Sequence, residues 1–66
     1  MKNIIKVQRA IKGLTQEDLA KQVSVSRQTI NAMESNKYVP STVLALKIAR
    51  VFQLPVEELF LLEEGD

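Results

Sequence analysis

The stretch 15-TQEDLAKQVSVSRQTINAMESNK-37 decides the fold. Thr15 is placed to cap a helix, and Asp18, three residues on, completes a capping box ahead of Leu19 and Ala20. Ser26 caps a second helix that runs to about Ser35, where Asn36 tolerates the left-handed backbone that ends it. Only about three residues separate the two helices. That is too few for a side-by-side hairpin, so they must cross at a steep angle.

The second helix has two unlike faces. At about 100° per residue, Ile30 and Met33 fall on one side, while Gln28 and Ser35 point the opposite way, flanked by Arg27, Asn31 and Ala32. An exposed helix face is ordinarily filled with Glu and Lys. This one carries Arg, Gln and Asn, which form paired hydrogen bonds with base edges, and an Ala whose methyl suits thymine. Read without its context, such a face is also compatible with a plain polar surface. The preceding helix and tight turn favour base reading.

Outward from this stretch, the chain breaks into short helical pieces. Ile4, Ile5, Val7 and Ile11 predict a first helix from about Lys2 to Lys12, stopped by Gly13. Pro40-Ser41 opens a fourth, with Val43, Leu44, Leu46, Ile48, Ala49 and Phe52 as its apolar face. Pro55 begins a very short fifth, with Glu57 and Glu58 at the positive end of its dipole. The run 59-LFLL-62 is more apolar than one face of a single helical turn can bury. Leu59 and Phe60 are therefore expected to close the core, with Leu61 and Leu62 reaching a partner chain, in extended form if paired as a strand.

Composition narrows the function. A chain of 66 residues, 45% hydrophobic and 26% charged, holds one domain with a small core. It has neither Cys nor His, which excludes disulfides, thiolate zinc sites and His-based catalysis. The remaining bases form no catalytic constellation, so no enzyme, cofactor, metal or small-molecule ligand is expected. No apolar run is long enough for a membrane span, and a cytoplasmic protein is the expectation. Residues 1–50 hold all nine Lys and Arg against three carboxylates, a net of +6, whereas residues 51–66 carry −5. A basic body favours a polyanionic partner, although charge alone equally fits two solvated surfaces of opposite sign.

These features together resemble the Cro/cI-type (XRE) helix-turn-helix family. The likeness is carried by Thr15 to Ala20, Val25 to Asn31 and Met33-Glu34. It extends to Arg9, Lys12-Gly13-Leu14, Tyr38, Pro40-Ser41, Ala45, Lys47-Ile48-Ala49 and Leu59-Phe60. The resemblance implies an all-α, compact five-helix, lambda-repressor-like bundle spanning residues 1–60, with a C-terminal extension over 61–66. It implies base contacts from Arg27, Gln28, Asn31 and Ala32. Phosphate contacts would come from Gln16, Ser26, Asn36, Lys37, Tyr38, Ser41 and Thr42, although helix capping is an equal or better account of the two serines. It also implies an ion pair between Arg9 and Glu34 and a dimer interface at Phe60, Leu61 and Leu62. Two positions depart from the usual pattern: Ser24 and Asn36 stand where glycine is common, so a left-handed Ser24 would be strained.

The expected function is a homodimeric, sequence-specific regulator of transcription, a repressor by family habit, bound to double-stranded DNA. The alternative is an antitoxin-like module whose acidic tail docks on a protein partner, with DNA binding secondary.

Overall fold

The computed structural model describes residues 1–66. In chain order it contains β1 (Lys2–Asn3), α1 (Ile5–Lys12), α2 (Gln16–Val23), α3 (Arg27–Glu34), α4 (Thr42–Phe52), α5 (Val56–Leu59) and β2 (Phe60–Leu61). Five helices pack around a single core in which Ile5, Leu19, Ile30, Met33, Ile48 and Leu59 are wholly buried. The bundle measures 32 × 22 × 20 Å.

The expected caps are in place. Thr15 Oγ1 accepts from the Asp18 N–H at 3.0 Å while the Thr15 N–H donates to the Asp18 carboxylate at 3.0 Å. These bonds hold the Asp18 carboxyl below its ordinary value. Ser26 Oγ and Ser41 Oγ each accept from the third N–H of their helices.

Helices α1 to α4 all end in the same way. A residue in the left-handed region (Gly13, Ser24, Asn36 or Gln53) turns the chain, and the next N–H bonds back five residues, as from Lys37 to the Ala32 carbonyl at 2.9 Å. Ser24 sits at φ 61° and Gln53 at φ 55°, where a Cβ crowds the following carbonyl. Nothing in the sequence pattern marked Gln53. Ser24→Gly is expected to stabilise the fold by about 1 kcal/mol, raising Tm by several degrees. Asn36→Gly should gain less, because Asn tolerates this conformation. Thermal unfolding of the two variants checks the order.

The first helix begins later than its apolar spacing suggests. Lys2 and Asn3 are extended and pair antiparallel with Leu61 and Phe60, so the two ends of the chain lie side by side. Asn3 makes this start definite. Its Oδ1 accepts from the Ile5 N–H at 3.1 Å, and its Nδ2 donates to the Met33 carbonyl at 2.8 Å. Of the extension only Leu61 lies in the strand, and its partner here is the amino end of the same chain. The acidic tail also meets the Met1 ammonium, which lies 3.1 Å from Glu63 and from Asp66.

The apolar face of α4 is split. Leu44, Ile48, Ala49 and Phe52 enter the core, whereas Val43 and Leu46 are more than half exposed. On α1 only Ile5 is buried, and Val7 and Ile11 form an exposed stripe.

Candidate nucleic-acid interface

Helix α3 is anchored from beneath by Ile30 and Met33, both fully buried. That leaves Arg27, Gln28 and Asn31 exposed and Ala32 half-buried on the opposite face. Together with Lys37 they line one shallow recess. Neither Arg27 nor Gln28 makes an intramolecular side-chain hydrogen bond, so their donors and acceptors face solvent unpaired. No carboxylate occupies the first turn of α3 or of α4. The positive ends of both helix dipoles are thus uncompensated, a setting that suits phosphate.

A network behind α3 fixes its position. Arg9 Nε donates to Glu34 Oε2 at 2.6 Å and Arg9 Nη2 to Glu34 Oε1 at 3.0 Å, a bidentate pair joining α1 to the end of α3. Arg9 Nη1 donates to the Leu14 carbonyl at 2.9 Å. The Glu34 side chain is only 5% exposed. Burial pushes its carboxyl up, but hydrogen bonds from Arg9 and Gln16 outweigh that and hold it below the ordinary value. The same bond raises the Arg9 guanidinium above its usual value.

Other candidate contact residues are partly committed. Gln16 Nε2 donates to Glu34 Oε1 at 3.1 Å and Gln16 Oε1 accepts from Asn31 Nδ2 at 3.5 Å, leaving one N–H for a phosphate. Ser26 Oγ bonds the Thr29 hydroxyl at 2.9 Å besides capping α3. Asn36 Oδ1 accepts from Asn3 Nδ2 at 3.3 Å, and the Lys37 N–H is spent on Ala32. Tyr38 and Ser41 line a second recess beside the α2–α3 turn, joined there by Lys47. Sequence reasoning gave no contact role to Lys47 or Asn3. Lys47 entered only as part of the family likeness, and Asn3, besides its local bond to the Ile5 N–H, acts through tertiary contact with the end of α3. Thr42 is exposed at the first turn of α4.

Phe60 is 7% exposed, whereas Leu61 is 43% and Leu62 82% exposed. Phe60 meets a shallow apolar groove also lined by Met1, Val39, Leu46 and Val56. Surface for a partner is thus offered by Leu61, Leu62 and this groove rather than by Phe60 itself.

The sequence profile of the helix-turn-helix family matches residues 5–59, from the first residue of α1 to the last of α5. The chain belongs to the Cro/cI-type (XRE) helix-turn-helix family. An uncharacterised HTH-type transcriptional regulator of Methanocaldococcus jannaschii is 53% identical over 66 residues, covering 100% of both chains. Another, YgzD of Bacillus subtilis, is 50% identical over 64 residues, covering 97% of each. Among solved structures, the restriction-modification controller protein C.AhdI from Aeromonas hydrophila superposes with TM-score 0.77 at 32% identity, over 85% of both chains. The N-terminal DNA binding domain of SinR from Bacillus subtilis gives TM-score 0.76 at 28% identity, over 94% of this chain and 90% of that one. This helix-turn-helix protein therefore has the fold of DNA-binding transcriptional regulators, a family of binding proteins rather than enzymes. No helix is long and apolar enough to cross a membrane.

Proposed function

We propose that this helix-turn-helix protein represses transcription as a homodimer on a twofold-symmetric operator, with α3 in the major groove of each half-site. The observation that carries this reading is the partner-free pair Arg27 and Gln28, set beside Asn31 and Ala32 on a helix locked from behind by Arg9 and Glu34. Arg27 suits the two acceptors of guanine, and Gln28 suits adenine. Lys37 lines the α3 recess, Tyr38, Ser41 and Lys47 line the one beside the α2–α3 turn, and Thr42 stands at the start of α4; these are assigned to phosphates, with the remaining Gln16 N–H. Capping is the main work of Ser26 and Ser41.

Size supports two copies. Helix α3 has eight residues, about 12 Å of helix, which reaches only a few base pairs. Two half-sites one DNA turn apart lie about 34 Å from centre to centre, and the longest dimension of one chain is 32 Å. A second copy supplies the second reading helix, and the exposed Leu61 and Leu62 with the neighbouring apolar groove supply the contact.

Binding-site selection followed by salt titration tests the assignment. Arg27→Ala is expected to lose about 1–3 kcal/mol of discrimination at one base position. Lys37→Ala should weaken binding to all sequences about equally and flatten the salt dependence by about one phosphate. Equal losses on selected and random DNA for both variants would refute this division of labour.

A further inference from the structure

Gln16 stands where three polar groups meet. Its Nε2 reaches Glu34 Oε1 at 3.1 Å, and its Oε1 receives Asn31 Nδ2 at 3.5 Å, the long end of hydrogen-bond range. Arg9 closes the far side of Glu34 at 2.6 Å and 3.0 Å. The result is one continuous path, Arg9 to Glu34 to Gln16 to Asn31, from the first helix to the face of α3.

Only one order of donors is consistent along this path. A guanidinium has donors alone and an ionised carboxylate acceptors alone. Gln16 must therefore turn its NH2 toward Glu34, which leaves its carbonyl oxygen toward Asn31. Asn31 must in turn spend one N–H on that oxygen. Its remaining N–H and its own oxygen are left at the outer end of the amide, in a single sense along the helix face.

That sense has a consequence in the major groove. An amide pairs with adenine by accepting from the N6 amino group and donating to N7. The reversed T·A pair presents those two groups in the opposite order, and an amide must turn over to follow. We infer that Glu34, acting through Gln16, fixes the direction of the Asn31 amide, so that Asn31 reads adenine on one strand and rejects the reversed pair. This rests on the DNA-reading role proposed above for α3 and adds that a residue with no contact to DNA sets part of the specificity. Glu34 and Gln16 are positioning residues for Asn31.

Binding-site selection on the full chain tests it with four proteins: the unmodified chain, Asn31→Ala, Glu34→Gln and Gln16→Met. Asn31→Ala identifies the base pair that Asn31 reads. At that pair the unmodified chain should prefer one orientation of A·T by on the order of tenfold. Gln at position 34 both donates and accepts, so the path runs either way and the two orientations should become nearly equal. Preference at the Arg27 base pair should stay, a pattern that general loosening of the fold would not give. Gln16→Met cuts the path while leaving Arg9 and Glu34 paired, and it should equalise the orientations likewise. Retention of the orientation preference by either variant overturns the inference, as does an Asn31→Ala variant that changes preference at no base pair. In those cases specific binding by the unmodified chain leaves the DNA-reading role standing, whereas an unmodified chain that selects no sequence removes both.

Discussion

Replacing Arg9 by alanine is expected to cost about 3 kcal/mol of folding stability, because it strands a nearly buried carboxylate. Glu34 is 5% exposed and takes two of its hydrogen bonds from Arg9; Gln16 alone cannot replace a charge. A domain of this size has roughly 3–10 kcal/mol in total, so a large share of Arg9→Ala molecules would be unfolded at 37 °C. Replacing both partners together, as in Arg9→Met with Glu34→Met, should cost much less, since no charge is then left without a counterion. Urea midpoints of the single and double variants decide the matter. Acid gives an independent check. The native Glu34 carboxyl is held low by Arg9, so its contribution is present above the ordinary carboxylate value and fades as pH falls through the lowered native one. Arg9→Ala lacks that contribution throughout. Burial without Arg9 also pushes the variant's Glu34 carboxyl up, so protonation relieves it first, and the stability gap should narrow as pH falls into and through the ordinary carboxylate range.

Leu62→Glu is expected to leave the monomer intact and abolish assembly. Leu62 is 82% exposed, so a charge there costs the isolated fold no more than about 0.5 kcal/mol. In a dimer built on the tail the same carboxylate would be buried without a partner. The variant should sediment as a monomer, and its operator affinity should fall on the order of 100-fold or more, since the second half-site no longer binds as part of the same complex. Leu46→Glu, in the adjoining groove, should act in the same direction. A Leu62→Glu protein that still sediments as a dimer and binds as before would exclude the tail as the interface.

The parts of this fold that read out from sequence are those set by neighbours along the chain. Thr15 with Asp18, Ser26 with Thr29 and Ser41 with Leu44 are local capping arrangements, and Ile30 with Met33 marks the buried side of α3 by spacing alone. The strained turn at Ser24 was legible only through the family resemblance, which puts glycine at that position. What spacing could not show is what joins distant segments. The apolar residues near the start suggested a helix from Lys2, but residues 2 and 3 pair with residues 60 and 61, and no local propensity encodes that match. Asn3 starts α1 through the Ile5 N–H two residues on, but it holds the end of α3 through atoms 30 and 33 residues away. Val43 and Leu46 looked like core because an apolar residue awaiting a partner and one facing the interior look alike in a helical pattern. At the candidate site, the outward placement of Arg27, Gln28 and Asn31 on α3 was legible from helical angle. The bond from Gln16 to Asn31 was not, since it depends on how closely α2 and α3 cross.

The strand pair at the chain ends also governs when this protein can finish folding. Residues 2 and 3 wait for residues 60 and 61, and Leu59 and Phe60 are the last pieces of the interior to be made. Emerging from a ribosome, the chain can wind its individual helices early, because those bonds are short-range, but the interior stays open on one side until synthesis reaches the tail. Closure then joins segments nearly the full length of the chain apart, the slowest kind of contact to find. A chain cut just before Leu59 would leave open to water the part of the interior that Leu59 and Phe60 fill, and would be the form that proteases meet.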